Sequence, residues 1–300
     1  MADKYNLGMY SYQGRINYSL YPKLPAQLKF DSVSACGVLL QLMMGKVTIC
    51  DQKDVVLKNQ KINYTKLPYE SCGIHSYEQF NEIFGIDVRD DESRNACNKY
   101  MLRDRKNNFV YEHMLNELTQ YFVVCDKSPC EGFVHLYRML EFMGYSFPMI
   151  YASKSKDYRG SYESLKKFFQ GGDGMGELKF LGYFLDELFK DELTTYDFEF
   201  EILFDIGEIE NLRKDFTQAI PWDWYTFEND TLTVQFRNVK NLFVETRNKY
   251  FHMLLGKGNN NFLDMRYEKN DLFKSMNPIF VNWISCIFVK IIQHGLSLYD

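Results

Sequence analysis

A chain of 300 residues with 46% apolar content can bury one large core or two modest ones, and its net charge of −5 excludes a protein that coats nucleic acid with its whole surface, because non-specific affinity comes from Lys and Arg against phosphate. Seven Cys without a repeating spacing exclude a secreted disulfide framework, and five scattered His form no ligand cluster, so neither cofactor nor metal is expected. The start, Met1-Ala2-Asp3-Lys4-Tyr5-Asn6, lacks an apolar signal core, which fits a cytoplasmic chain.

Residues 1–90 read as a mixed α/β module. Tyr10 to Leu20 is turn-rich, Val33 to Cys50 is an apolar run interrupted at Gly37 and Gly45, and Val47-Thr48-Ile49-Cys50 predicts a strand with turn residues Asp51 to Asp54 after it. The charged patch Asp87 to Arg94 marks a boundary, and residues 91–300 read as a helical domain with a β insertion at about 195–236. Asn95 to Glu117 and Cys130 to Phe147 have helical spacing, with His113 and His135 as satisfied, partly buried side chains. Ala152 to Gly160 is a basic loop, Tyr162 to Gln170 a short helix, and Gly171 to Gly176 a linker. That glycine run is not a phosphate loop, since no Gly-Lys-Ser/Thr follows it. Glu177 to Lys190 returns to helix.

Thr195 to Phe204 sets Tyr196, Phe198 and Phe200 against Asp197, Glu199 and Glu201, the period of a half-buried strand. Trp222 to Phe227 and Thr231 to Phe236 read as a hairpin about Glu228-Asn229-Asp230. Helix resumes near Val239 and stops near Gly256-Lys257-Gly258. The last helix, Pro278 to Leu296, is densely apolar with proline in its first turn. Asn282, Ser285, Lys290, Gln293 and His294 interrupt it, and it falls short of the roughly 20 apolar residues that cross a bilayer, so a core or dimer-interface helix and no membrane partner are expected. The whole reads as α+β, predominantly α-helical.

Chemistry concentrates in Arg247-Asn248-Lys249-Tyr250-Phe251-His252. A fixed cation, an amide and the one side chain that titrates near neutrality suit phosphodiester chemistry: the guanidinium holds a phosphate and the imidazole moves a proton. Arg-Asn with a His five to seven residues after the Arg should occur by chance only about 0.04 times in a chain of this composition. Arg94-Asn95 and Arg237-Asn238 repeat the dipeptide without the His. The setting is basic: residues 237–257 carry Arg237, Lys240, Arg247, Lys249 and Lys257 against Glu245 alone, whereas residues 186–210 carry ten acids against Lys190. On a straight helix Asn248 and His252 share a face, while Arg247 sits about 140° from His252, so a bend or a second copy is needed to bring both to one phosphate.

These residues resemble the Arg, four to six residues, His signature of HEPN domains, in which Asn often follows the Arg. The resemblance implies a HEPN-like helical bundle that dimerises into a composite site, acts as a metal-independent endoribonuclease on RNA, and serves as a toxin or antiviral effector held off by an antitoxin or awaiting an activator. Carried over, Arg247, Asn248 and His252 would be catalytic, and Lys249, Lys240, Arg237 and Lys257 would contact the substrate. The competing reading is a non-catalytic helical module that binds nucleotide, RNA or protein, in which Arg247 pairs structurally, for example with the acidic run.

Overall fold

The computed structural model describes residues 4–16, 23–66, 90–154, 177–189, 199–205, 209–219, 225–251 and 269–297, with a few isolated positions besides. Tyr162 to Gln170, apart from isolated positions, and Gly171 to Gly176 lie outside the described residues.

Four antiparallel strands, β1 (Lys4–Leu7), β2 (Tyr10–Gly14), β3 (Val47–Asp51) and β4 (Val56–Gln60), form a sheet in the order β1-β2-β3-β4. The stretch read as turn-rich from Tyr10 is therefore a strand in its first half. Pairing explains the difference: Tyr12 lies opposite Ile49, is fully buried, and reaches the Thr119 Oγ1 at 2.9 Å. The turn after β3 is as expected. Asp51 accepts hydrogen bonds from the backbone N–H groups of Lys53 and Val55, both at 2.8 Å, and Asp54 takes a φ of 61°. The apolar run before it divides at Gly45, whose φ of +73° turns the chain where a Cβ would strike the Lys61 carbonyl carbon. Upstream of Gly45, α1 (Ala35–Met43) is buried on every side, as a helix apolar all round must be.

In place of the single helix predicted from Asn95 to Glu117 there are two, α2 (Asp91–Arg103) and α3 (Asn108–Val124), joined by a 3₁₀ turn at Asp104–Asn107. Asp90 caps α2 by accepting from the Ser93 N–H at 2.8 Å. The break sits at Asp104, which is 2% exposed. Its carboxylate accepts from Tyr100 at 3.3 Å, from Tyr111, and from Asn107 Nδ2 at 2.9 Å, and it pairs with Lys154 Nζ at 3.0 Å. A buried charge needs such partners, and the turn is what lets residues before and after Asp104 converge on it. Burial pushes both phenols well above their ordinary range.

After a short turn α4 (Pro129–Ser153) packs antiparallel on α3. It outruns its predicted end at Phe147 and passes through Pro148. The carbonyl that loses its N–H partner belongs to Gly144, Ser146 Oγ donates to the Phe142 carbonyl nearby at 2.7 Å, and burial of Phe147 and Ile150 holds the last turns. His135 Nδ1 lies 2.8 Å from Glu117 Oε2, so that histidine is satisfied as expected, and His113 is partly buried with its ring packed on Phe142 at a centroid distance of 4.2 Å.

The C-terminal half contains α5 (Glu177–Leu188) and a three-stranded antiparallel sheet of β5 (Glu199–Leu203), β6 (Tyr225–Glu228) and β7 (Thr231–Gln235), in the order β5-β7-β6. Phe200, Ile202, Leu232 and Val234 face inward, and Glu199, Glu201 and Glu228 face out, the alternation expected of the insertion. An unforeseen helix, α6 (Ile209–Ala219), lies between β5 and β6. Leu212 buries it, and Arg213 spans the turn by donating to the Asn229 carbonyl at 3.1 Å with its guanidinium over Phe227.

Two helices close the described chain, α7 (Phe236–Phe251) and α8 (Lys269–Ser297). α8 starts nine residues before Pro278, which is interior to the helix and not in its first turn. Leu272, Phe273 and Met276 are buried ahead of it, and Asn277 Nδ2 donates to the Pro129 carbonyl at 2.8 Å, so contacts with α4 carry the helix across the proline. By length and mean hydropathy, 1.5 over its best 18 residues, α8 could cross a membrane, but 72% of that window is buried inside the protein. It is the central core helix. Gly295 lets α2 approach it, because a Cβ there would collide with the Tyr100 ring. One cluster of buried side chains runs from Tyr10 to Leu296, so the sheet and the helices share a core across the charged patch at 87–94. The class is α+β with two small antiparallel sheets, mainly helical.

Candidate functional site

α7 starts at the residue after β7 ends, and its buried positions Val239, Leu242, Phe243, Thr246 and Tyr250 recur at helical spacing. The Phe243 ring packs, tilted, against Phe280 of α8 at a centroid distance of 3.8 Å and Phe133 of α4 at 5.2 Å, which fixes the rotation of the helix. That rotation sets Arg247 and Asn248 at the rim of the buried stripe, each half-buried.

Arg247 has neighbours on three sides. Its guanidinium carbon lies 5.0 Å from the centre of the Tyr137 ring on α4, Nη1 donates to Asn248 Oδ1 at 3.1 Å, and Nη2 stands 4.0 Å from Glu141 Oε1. Asn248 also hydrogen-bonds the Glu245 carboxylate, whose pKa burial raises and this bond pulls back. Glu245, Asn248 and Arg247 are thus linked in series by hydrogen bonds, with Glu141 beside the last of them. The Arg247 side chain keeps 30% exposure and Glu141 keeps 43%, so the cation is oriented by the protein and still reaches water.

The other sequence-predicted residues divide. His252 and Lys257 lie outside the described residues. Lys240 is seven residues before Arg247, on nearly the same side of α7 and roughly 10 Å along it. It is half-buried, and its Nζ lies over Gly182 of α5, 2.7 Å from the point where a Cβ would stand. Burial lowers the Lys240 pKa and Asp186 raises it, bringing the acidic and basic segments together at this point. Arg237 is exposed about 80° around the helix, and Lys249 is on the opposite side, only 8% exposed, where it presents little surface to a ligand.

No protein-family model, no characterised protein and no solved structure matches the chain. The site therefore rests on its own chemistry. Among the described residues no group of three or more His, Cys, Asp or Glu side chains is placed to hold a metal ion. What the cluster offers is an oriented guanidinium on a helix rim, able to meet an anion through its N–H edges.

Tyr137 and Glu141 were not found from sequence. They sit at i, i+4 on α4 beside the apolar stripe of Phe133, Leu136 and Leu140, where an aromatic reads as core and an acid as solvated surface. Among the described residues the carboxylate beside Arg247 comes from Glu141 and not from the acidic run. Of the two motif controls, Arg94 pairs with Asp91 one turn away and Arg237 stays exposed.

Proposed function

We propose that the chain is a metal-independent endoribonuclease in which Arg247 neutralises the scissile phosphate, His252 moves a proton at the ribose 2′-hydroxyl or the leaving oxygen, and Asn248 fixes the Arg247 edge. The products would be 2′,3′-cyclic phosphate and 5′-hydroxyl ends. The observation that carries this reading is the partly exposed Arg247 guanidinium, locked to its neighbour Asn248 and braced by Tyr137, five positions before the only histidine of the basic segment. α7 is unbroken helix from Phe236 to Phe251, which favours a composite site formed by two copies over a bend at Arg247. RNA is the substrate, and a toxin or antiviral role under the control of an antitoxin or activator goes with the HEPN resemblance.

A specific observation favours a second reading. Arg247 already has a carboxylate beside it, so a non-catalytic module with a structural ion pair at Glu141 fits the same contacts. The two separate on incubating purified protein with total RNA and tRNA in EDTA, beside Arg247→Ala and His252→Ala. The nuclease reading expects cleavage with cyclic-phosphate ends that both substitutions abolish by a hundredfold or more, roughly the worth of a general acid–base or a preorganised cation. Cleavage at the wild-type rate by His252→Ala would sink it.

A further inference from the structure

The N–H edges through which a guanidinium binds an anion are, at Arg247, already turned toward the protein itself. Tyr137 covers one face, Asn248 takes Nη1, and Glu141 stands opposite Nη2. A phosphate needs those same edges in the plane of the group. Of the three neighbours only Glu141 is both charged and substantially exposed, at 43%, and its 4.0 Å separation is too long for a hydrogen bond. It contributes little to holding the arginine and yet places a negative charge where an anion would arrive.

We propose that Glu141 is a built-in competitor for the anion at Arg247, a carboxylate that holds the site's affinity for RNA down until it is displaced. The proposal rests on the reading that Arg247 takes a phosphate. Physically, a unit negative charge about 5 Å from a bound phosphate in a wet setting weakens binding by roughly three- to tenfold, and salt screens the effect. Asn248 and Tyr137 act in the opposite sense. They keep the guanidinium in place whether Glu141 or a phosphate lies against it, so the exchange requires no movement of α7.

The test measures binding separately from cleavage. Fluorescence anisotropy with a labelled single-stranded 2′-O-methyl RNA, which has no free 2′-hydroxyl to react, is compared for the wild type, Glu141→Gln, Arg247→Ala and the double variant at low and moderate salt, with thermal melts confirming that each is folded. The expected result is roughly three- to tenfold tighter binding by Glu141→Gln at low salt, shrinking as salt rises and absent when Arg247 is already Ala. Unchanged or weaker binding by Glu141→Gln overturns the proposal, as does an equal gain in the Arg247→Ala background. Binding through Arg247 that Glu141→Gln tightens, in a protein that cuts no RNA, keeps the competitor and sinks the nuclease. Cleavage that needs Arg247 but shows no gain in Glu141→Gln does the reverse. No binding by any of the four proteins overturns both.

Discussion

Two clusters in this molecule are built from the same parts. At the junction of α2, α3 and α4, Lys154 lies over the Tyr100 ring at 4.3 Å, pairs with Asp104 at 3.0 Å, and has Asn107 on the same carboxylate. On α7 and α4, Arg247 lies over the Tyr137 ring at 5.0 Å, stands 4.0 Å from Glu141, and is fixed by Asn248. The difference is water. Side-chain exposure is 8% and 1% for the first pair and 30% and 43% for the second. In a dry site each charge depends on its partner, because losing one leaves the other unsolvated. In a wet site the pair is worth little and its members stay available to a third group. The first cluster is architecture, and the second can bind.

The largest expected effect comes from breaking the dry cluster. Lys154→Met should cost about 3–5 kcal/mol in urea unfolding, the usual penalty for stranding a buried carboxylate. A loss under about 1 kcal/mol would show that Asp104 is held by Tyr100, Tyr111 and Asn107 alone. Gly295→Ala pushes a methyl into the Tyr100 ring, and overpacking of that kind should cost about 1–3 kcal/mol in the same assay.

A smaller effect is acid-dependent. His294 stacks on Tyr151 at 4.1 Å, and burial, with Lys154 and Lys290 adding to it, lowers its pKa to about 4. A histidine depressed in the folded state takes its proton more readily when unfolded, so its stabilising contribution is present above about 6.5 and is lost as pH falls toward 4. The fall in urea midpoint between pH 7 and pH 4.5 should be shallower in His294→Phe, and an identical fall would remove His294 from the account. The smallest effect belongs to the wet cluster. Arg247→Met should change stability by under about 1 kcal/mol while removing RNA binding, and a loss as large as that of Lys154→Met would make the two clusters alike.

Local signals were legible and distant ones were not. The strand at Val47–Asp51 and the turn after it depend on residues within a few positions, and both could be read from sequence. The division of the Asn95–Glu117 helix was hidden because Asp104 looks like any exposed acid until Lys154 arrives from the end of α4. Pro278 resembled a helix start for a similar reason: the contacts that carry α8 across it come from α4. At the site, the motif marked Arg247 and Asn248, which the structure sets side by side. Tyr137 and Glu141 gave no sign, since their relation to Arg247 exists only once α4 and α7 are packed together.

The passage from β7 to α7 without an intervening residue makes the chain a ruler of angle. The pairing of Val234 with Phe200 fixes the phase of the strand, and thirteen positions later that phase decides which way Arg247 points. One residue inserted between Gln235 and Phe236 would leave every side chain intact while turning α7 by about 100°, carrying the guanidinium off the Tyr137 ring. In such a junction the number of residues is as much a part of the site as their identity.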